Sequence, residues 1–439
     1  MSELNSLLEV LGTLHPRKID LSLGRIERLL DRMDRPQDRL PPVIHVAGTN
    51  GKGSTIAFLR AALESAGYSA HVYTSPHLVR FNERIRLGRK GGGRLADDAS
   101  LIAAIQEVLR VNGGEPITFF EVTTAVAFQL YAAHPADFCL LEVGLGGRFD
   151  ATNVIDRPIA SVIASISQDH AEFLGTDLAQ IAAEKAGILK RGVPGIVAPQ
   201  DEHALSMIEV EANAAGATLF RHGTDYMAFA ERGRLVYQDD FGLLDLPLPK
   251  LLGAHQVENA GLAVATLRRV GVPLDDAALD AGLLNADWPA RMQRLKTGPL
   301  VDRAPPGSDI WLDGGHNPAA GVAIAQAFAE IEDRDPRPLI LICGMLMSKD
   351  PAGFFRPFAG LVRHAMTVPV EMSEAGFDPA RLAEIAMQSD VPARPFADVG
   401  TALAALHVER GDAQPPRILI CGSLYLAGSV LKENGPLPE

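Results

Sequence analysis

Residues 43–54, VIHVAGTNGKGS, run from a strand-like segment through a glycine-rich turn into the start of a helical segment. The first of these residues are apolar and β-branched, as in a strand that is covered on both faces, and the apolar residues after the turn recur at helical spacing. The glycines let backbone N–H groups approach an anion, the helix N-terminus favours negative charge, and Lys52 adds a positive charge. The stretch therefore predicts a loop that holds the phosphates of a nucleotide.

The spacing of this loop differs from the G-x-x-x-x-G-K-[ST] phosphate loop by one additional residue, Gly53, between Lys52 and Ser54. An ordinary tight turn from strand to helix is the alternative interpretation. Such a turn would explain Gly48 or Gly51, but it would not explain Lys52 and Ser54 together. We therefore interpret the loop as phosphate-binding.

The composition is that of a globular enzyme. The chain has 439 residues, 47% of them hydrophobic, which is enough for two or three domains with large cores. Its net charge of -13 and its lack of a Lys/Arg-rich block argue against a nucleic-acid partner. The first residues do not resemble a secretory signal, and no run approaches the roughly 18 apolar residues of a membrane helix. Cys139, Cys343 and Cys421 lie within apolar runs, so we expect reduced core cysteines in a cytoplasmic protein with no membrane partner.

Polar residues follow several predicted strands at the point where each strand ends. The second predicted strand runs into Ser75, the next ends at Glu142, and a third ends near His170. The segments between them have helical spacing, which predicts an α/β fold with a parallel sheet. Because ligands bind at the carboxyl ends of parallel strands, we expect these residues and Ser54 to lie at one edge of the sheet.

The alternation of strands and helices begins afresh in the last third of the chain. We predict a larger domain over residues 1–297, with a small β subregion at about 214–250, and a smaller α/β domain over residues 298–439. In the second domain, Asp313 and His316 follow a predicted strand on a glycine-rich turn. This is a typical position for binding residues, although a plain turn would explain either one.

A phosphate loop of this kind works with Mg²⁺, which prefers oxygen ligands. Ser54 or Ser75, Glu142 and the nucleotide phosphates could supply them. His170 is an unusual ligand for Mg²⁺ because imidazole more often binds transition metals, so a hydrogen-bonding histidine at the edge of the sheet is the alternative. For Glu142 the alternative is a helix-capping or solvated carboxylate.

Three further residues are ambiguous from the sequence alone. Lys185 has the pattern of a solvated helix lysine. Asp20 is explained by a negative charge at a helix start. Arg291 lies just before the predicted domain boundary, where it could reach a phosphate or serve no such role.

Six motifs occur in one order along the chain: GTNGKGS, SPHL, LEVGLGGRFDATN, SQDH, EKAGI and LDGGHNP. Together they resemble the folylpolyglutamate synthase family of the Mur ligase superfamily, over nearly the whole chain. The resemblance implies a P-loop ATPase domain like the Mur ligase central domain, followed by a smaller Rossmann-like α/β domain. It also implies an amide-forming ligase, in which ATP phosphorylates a carboxylate and the amino group of glutamate attacks the acyl phosphate.

The resemblance further implies roles for individual residues. The ATP-binding residues would be Thr49, Asn50, Gly51, Lys52, Gly53, Ser54, Asn259, Arg291, Asp313 and His316. The metal-binding residues would be Ser75, Glu142 and His170, with Lys185 as a carbamate at a second Mg²⁺, and the catalytic residues would be Lys52, His170 and Lys185. Two positions depart from the family pattern, since Ala290 stands where glycine is usual and Gln293 where an acidic residue is frequent.

Three segments resemble those that hold dihydropteroate in bacterial enzymes with both synthase activities. Their residues are Ile19, Asp20, Leu21, Thr118, Phe119, Phe120, Glu121, Phe149, Asp150 and Ala151. The two adjacent phenylalanines offer aromatic surface for a pterin ring, although core packing is the alternative. We therefore expect a dihydrofolate synthase that is also a folylpolyglutamate synthase, with dihydropteroate, folates and L-glutamate as substrates.

Other functions are open at this point. The protein could extend folates without making dihydrofolate. A cell-wall Mur ligase would need a site for a uridine-diphosphate sugar, for which the roughly 42 residues before the loop are too few. A nucleotide-dependent regulatory module without catalysis is disfavoured because Lys52, Glu142, His170 and Lys185 are all present. Family precedent favours a monomer.

Overall fold

The computed structural model of the chain describes residues 3–14, 22–371, 375–410 and 414–438. Its α-helices are α1 (Glu3–Thr13), α2 (Gly24–Arg32), α3 (Lys52–Ser65), α4 (Asp98–Asn112), α5 (Phe119–Ala133), α6 (Ala171–Leu174), α7 (Leu178–Ala186), α8 (Glu202–Ala215), α9 (Ala254–Arg269), α10 (Asp276–Asn285), α11 (Pro299–Arg303), α12 (Pro318–Arg334), α13 (Pro351–Phe355), α14 (Pro379–Gln388), α15 (Val399–Arg410) and α16 (Leu424–Asn434). Short 3-10 helices span Pro36–Arg39, Phe81–Arg84, Ala151–Val154 and Arg356–Phe358.

The strands form three sheets within the described residues. They are β1 (Val43–Ala47), β2 (Ala70–Tyr73), β3 (Ile85–Leu87), β4 (Arg94–Leu95), β5 (Phe138–Glu142), β6 (Ala160–Ile163), β7 (Pro194–Val197), β8 (Thr218–Arg221), β9 (Tyr226–Glu231), β10 (Arg234–Asp239), β11 (Gly242–Pro247), β12 (Gln293–Leu295), β13 (Asp309–Leu312), β14 (Leu339–Cys343), β15 (His364–Thr367), β16 (Ala393–Pro395) and β17 (Arg417–Cys421).

The largest sheet has the strand order β4-β3-β2-β5-β1-β6-β7-β8. Neighbouring strands from β2 to β8 in this order are parallel, and β3 and β4 extend the edge in antiparallel pairing. Because β1 lies near the centre, the loop that follows it opens at the middle of the carboxyl edge. The predicted α/β class with a parallel sheet is confirmed.

Both faces of this sheet are covered, which explains the continuous apolar run of β1. Ile44 and Val46 are packed in the cluster that contains Phe58 of α3, whereas Val43 is packed in the cluster that contains Phe128 of α5. Each such apolar side chain stabilises the fold by about 1.5–3 kcal/mol when it is fully buried.

The second sheet has the order β12-β13-β17-β14-β15-β16, and it is parallel except for β12. Strand β12 precedes the predicted boundary at residue 297 but pairs with β13, so it belongs to this smaller sheet. The third sheet, β11-β10-β9, is antiparallel and lies within the predicted β subregion, whose first strand, β8, instead joins the large sheet. The division into two domains stays a prediction.

Two simpler expectations concern the cysteines and the membrane. The cysteines at 139, 343 and 421 are buried and unbridged, as the sequence predicts. Among the described residues, every helix is too short or too polar to cross a bilayer.

The segment that follows β2 packs against the core around the second sheet and so brings the two larger sheets into contact. Leu78 and Val79 of this segment pack against the core cluster of the second sheet, which includes Leu426 of α16. Gly428 of α16 makes the contact close, since a Cβ at this position would lie 2.0 Å from the carbonyl oxygen of Leu78. Ser75 is three residues before Leu78, so this contact connects the position of α16 to the edge of the large sheet.

We expect Gly428→Ala to lower the free energy of unfolding by about 1–3 kcal/mol, because the added methyl group forces α16 and residue 78 apart. Urea unfolding measures the change. Gly24→Ala is the matched control, since a Cβ at Gly24 in the first turn of α2 meets no atom within 4 Å. A Gly428→Ala protein as stable as the Gly24→Ala protein would contradict the close approach.

Candidate active site

A cleft of about 230 Å³ lies between the carboxyl edges of the two larger sheets. It brings together most of the predicted ATP-binding and metal-binding residues. Its lining includes Thr49, Asn50, Gly51, Lys52, Gly53, Ser54, Ser75, Glu142, His170, Asn259, Arg291, Asp313 and His316. Residues that are separated by more than 250 positions in the sequence thus face one space.

The glycine-rich loop joins β1 to α3 in the conformation that an anion-binding turn requires. Gly51 has a φ of +85° immediately before α3, and a Cβ there would lie 2.3 Å from Oδ1 of Asn259. Only glycine therefore fits at this position without displacing Asn259. Nζ of Lys52 donates to the carbonyl oxygens of Gly48 (3.0 Å) and Thr49 (3.2 Å), so the side chain folds back over the loop.

Ser75 and Glu142 lie side by side at the ends of β2 and β5. The backbone N–H of Ser75 donates to Oε2 of Glu142 at 3.3 Å, and Glu142 is buried. Burial raises the pKa of Glu142, and the positive charge of Lys52 opposes this effect. A carboxylate so placed gains from a nearby cation, because the cation compensates for the lost hydration.

His170 follows β6 with a φ of +53°. His170 is exposed at its surface, but partial desolvation by the surrounding residues lowers its pKa to about 4, and the neighbouring Asp169 opposes the shift. The imidazole is therefore neutral at pH 7, which leaves a nitrogen lone pair for a metal ion. The described residues contain no group of three His, Cys, Asp or Glu side chains close enough to hold a metal on their own. Ser75, Glu142 and His170 fit a divalent cation that takes its other ligands from phosphates and water.

Lys185 is buried in α7 rather than solvated, which corrects the pattern-based interpretation. Its Nζ donates to the carbonyl oxygen of Gly48 at 3.0 Å, beneath the glycine-rich loop. Burial, and secondarily the charge of Lys52, lower its pKa to about 7. A large fraction of the amine is therefore uncharged at neutral pH, which is the form that reacts with carbon dioxide.

The two departures from the family pattern have a structural explanation. Ala290 has a φ of +54°, in the left-handed region that favours glycine. Gln293 accepts a hydrogen bond from the N–H of Ala290 at 2.9 Å, a contact that an acidic side chain would also make. The turn thus keeps its shape, and Arg291 lines the cleft while its Nη1 donates to the carbonyl oxygen of Ala290 at 2.8 Å.

Asp313 is held by the backbone around it. Oδ2 accepts from the N–H of Met292 at 2.8 Å, and Oδ1 accepts from the N–H of Gly315 at 2.7 Å. The carboxylate therefore fixes two turns, and it lines the cleft as well.

A polar network at Asp169 crosses between the two larger sheets. Its carboxylate contacts Nζ of Lys349 at 2.5 Å, Nδ2 of Asn317 at 3.1 Å and Nε2 of His316 at 3.4 Å. Nδ2 of Asn317 also donates to Oδ1 of Asn50 in the glycine-rich loop at 3.1 Å. Burial opposes ionisation, but the hydrogen bond with His316, together with the charge of Lys349, holds the pKa of Asp169 well below its usual range.

Several residues predicted to bind dihydropteroate make contacts within the protein, which limits their availability to a ligand. Thr118 and Glu121 form a capping box at the start of α5, and Glu121 also pairs with Arg25 at 3.1 Å. Phe119 is packed edge-on against Phe81. Ile19, Asp20 and Leu21 lie outside the described residues.

Phe120, Phe149, Asp150 and Ala151 surround the glycine turn after β5. The ring of Phe120 covers Gly144, where a Cβ would lie 2.4 Å from it. Asp150 is buried and accepts four hydrogen bonds: from the N–H groups of Gly144 and Leu145 at 3.0 and 2.9 Å, and from the N–H and hydroxyl of Thr152 at 3.0 and 2.5 Å. Ala151 is a core residue, whereas Phe149 is 41% exposed.

Asp150→Asn is expected to lower the free energy of unfolding by about 1–3 kcal/mol, since the amide nitrogen cannot accept from the N–H groups it would face. Phe149→Ala is the matched neighbour, and its exposed ring predicts a change within about 0.5 kcal/mol. Urea unfolding of both variants measures the difference. Equal stability of the two variants would show that Asp150 is free to serve a ligand.

Comparisons with known proteins agree with this geometry. Residues 46–267 match the Mur ligase middle domain. The dihydrofolate synthase/folylpolyglutamate synthase of Bacillus subtilis is 31% identical over 430 residues, which covers 93% of this chain and 94% of the relative.

The chain belongs to the dihydrofolate synthase/folylpolyglutamate synthase family.

Members of this family are ATP-dependent ligases, and solved structures support the assignment over the whole chain. Escherichia coli FolC in complex with DHPP and ADP superimposes with a TM-score of 0.86 at 33% identity, covering 98% of this chain and 97% of that one. A bifunctional folylpolyglutamate synthase/dihydrofolate synthase with Mn, AMPPNP and L-glutamate bound has a TM-score of 0.84 at 32% identity, with 98% of each chain covered. The resemblance inferred from the six motifs is confirmed.

Sequence reasoning missed Lys349 and Asn317, which both contact Asp169 in the lining of the cleft. Asn317 precedes Pro318 and caps α12, so its sequence signal is that of an ordinary helix start. Lys349 lies in a loop with no distinctive pattern. Only the folded chain brings both to Asp169.

Proposed function

We infer that the protein joins L-glutamate to the carboxyl group of dihydropteroate and of folates, through an acyl phosphate, with release of ADP and phosphate. One observation carries the inference: the glycine-rich loop, the Ser75–Glu142 pair, His170 and Arg291 line a single cleft between the two larger sheets. The names of the family relatives indicate the substrates.

ATP would lie in this cleft with its phosphates on the loop of residues 49–54. The N–H groups at the start of α3 point at the phosphates and carry partial positive charge. Asn259, Arg291, Asp313 and His316 would contact the rest of the nucleotide, with Arg291 near phosphate and Asp313 near ribose. Because these residues come from both sides of the cleft, closure of the cleft completes the site.

The cation proposed here is Mg²⁺, held by Ser75, Glu142 and His170, with a second ion at the carbamate of Lys185. When bound, the metal neutralises negative charge on the phosphates. The protein would contribute one buried, preorganised carboxylate, since Glu142 is held against the backbone of Ser75. Oxygen atoms dominate this ligand set, as Mg²⁺ requires.

Lys52 and the loop N–H groups stabilise the charge that develops as the acceptor carboxylate attacks the terminal phosphate. Such donors accelerate the reaction because they bind the transition state more tightly than the ground state. The same groups stabilise the tetrahedral intermediate that forms when the amine of glutamate attacks the acyl phosphate. Holding three substrates in one cleft supplies the orientation that the reaction needs.

The pterin of dihydropteroate would lie beside Phe120 and the exposed ring of Phe149. Phe120 packs directly on the turn that follows Glu142, so an acceptor there has its carboxyl group near the metal ligands. Asp150 would position this turn rather than contact the pterin, because its oxygens already accept four hydrogen bonds.

Phosphate release by the purified protein tests the proposed function. With MgATP and L-glutamate, we expect release that depends on an acceptor and occurs with either dihydropteroate or tetrahydrofolate. Release with tetrahydrofolate alone would restrict the protein to chain extension and would leave Phe120 and Phe149 as structural residues. Release with neither acceptor would overturn the proposed function.

A further inference from the structure

A second cavity, of about 430 Å³, adjoins the nucleotide cleft. Its walls come from α3, from the β2–β4 edge of the large sheet and from α16. Gly53, Ser75, Glu142 and Arg291 line both this cavity and the nucleotide cleft. A molecule in the second cavity can therefore reach the proposed reaction centre without entering the space that the nucleotide needs.

Cationic side chains lie in the part of this cavity that is remote from the reaction centre. Arg60 follows Gly53 by seven residues on α3, so both lie on one helix face, about 10 Å apart. Nε of Arg60 is buried and has no hydrogen-bond partner among the described residues, and Oε2 of Glu64 is 3.9 Å away. Arg86 also lines the cavity.

The acidic residues that line the cavity already interact with other groups of the protein or belong to the proposed metal site. Glu83 accepts hydrogen bonds from three consecutive backbone N–H groups, at residues 78, 79 and 80. Asp287 pairs with Lys250 at 3.3 Å. Glu142 belongs to the proposed metal site. Glu64, outside the lining, accepts from the N–H of Gly93 at 2.9 Å, and its Oε2 lies 3.9 Å from Nε of Arg60, beyond hydrogen-bond distance. The guanidinium of Arg60 therefore keeps a donor for a ligand.

The remaining walls are apolar, from Leu95, Trp288, Leu424 and Leu431. Apolar walls with separated cations suit a flexible ligand that carries carboxylates on methylene groups. A distance of about 10 Å exceeds the ~3.6 Å that one extended peptide residue spans, so such a ligand could place more than one residue here.

We propose that this cavity binds the glutamyl chain of a folate polyglutamate substrate, with Arg60 pairing with one of its carboxylates. The proposal rests on the proposed function. In each cycle of chain extension the last carboxyl group must reach the reaction centre, and the glutamyl residues before it must lie in adjoining space. This cavity is the adjoining space, and its cations match the charge of the chain.

The test compares KM for three acceptors in Arg60→Gln: dihydropteroate, tetrahydrofolate with one glutamate, and tetrahydrofolate with three. We expect KM for the triglutamate to rise about tenfold, the effect of losing one charge-assisted hydrogen bond. KM for dihydropteroate should stay within about twofold of the parent, because this acceptor has no glutamyl chain. Arg60→Lys keeps the charge and should restore most of the triglutamate affinity.

Arg110→Gln is the matched control, since Arg110 is an exposed arginine of α4. Unchanged KM values for all three acceptors in Arg60→Gln would overturn the proposal. An equal rise for all three, or a loss of activity with all three, would also overturn it, because Arg60 would then serve the acceptor head group or the fold. If the parent protein itself used no acceptor, the proposed function would fail instead, and the parent measurement distinguishes the two cases.

Discussion

Lys185→Ala is expected to lower kcat of the ligase reaction by about 100-fold or more while ADP still binds. Lys185 is buried beneath the glycine-rich loop and has a pKa of about 7, so its uncharged amine is available to form a carbamate. Residues that only hydrogen-bond to a metal ligand typically contribute about 10–100-fold to metal affinity or activity. Loss of the ligand itself is therefore expected to cost at least as much activity. Nucleotide affinity should change little, because the loop of residues 49–54 is retained.

Steady-state phosphate release and calorimetric titration with ADP measure the two effects separately. Lys296→Ala is the control, since Lys296 is an exposed lysine that lines neither cavity. Intact mass spectrometry under carbon dioxide should detect a carbamate on the parent protein and none on Lys185→Ala. Near-normal turnover by Lys185→Ala would exclude the carbamate role.

Lys52→Ala is expected to lower kcat/KM for ATP by about 10²–10³-fold, since one preorganised donor to the transferred phosphate is lost. Unlike Lys185→Ala, this variant should also bind ADP more weakly. Among the described residues, Nζ of Lys52 donates its hydrogen bonds to loop carbonyl oxygens, and the half-buried side chain is not part of the buried core.

The same phosphate-release and titration experiments check this prediction, with urea unfolding as a control for stability. We expect Lys52→Ala to unfold at nearly the parent urea concentration. A variant with normal kcat/KM would show that the glycine-rich loop does not hold the transferred phosphate. A variant that loses stability in proportion to its activity would show that Lys52 is structural.

Local sequence patterns were sufficient to predict the fold class. The apolar run of β1 indicates burial on both faces, and the glycine turn after it indicates the start of a helix. Together they predict that β1 is a central strand of a parallel sheet. The pairing of β12 with the second sheet was not predictable, because a three-residue strand before a linker has no distinctive period.

The cleft was predictable where strand ends carry polar residues, as at Ser75, Glu142 and His170. The burial of Lys185 was not predictable, because it depends on which face of α7 packs against the glycine-rich loop. The contact of Lys349 with Asp169 joins residues 180 positions apart, and no local pattern encodes such a contact. The local pattern likewise did not predict that Asp150 accepts hydrogen bonds from three backbone N–H groups and the hydroxyl of Thr152, and its role in binding dihydropteroate stays a prediction.

Transfer of oxygen from the acceptor to phosphate tests the central claim most directly. Dihydropteroate labelled with ¹⁸O in its carboxyl group would be converted with MgATP and L-glutamate, and the released phosphate examined by mass spectrometry. An acyl phosphate predicts one ¹⁸O atom in each phosphate, because the attacking carboxylate oxygen leaves with it when glutamate attacks the carbonyl carbon. Unlabelled phosphate, or label in AMP, would contradict the account.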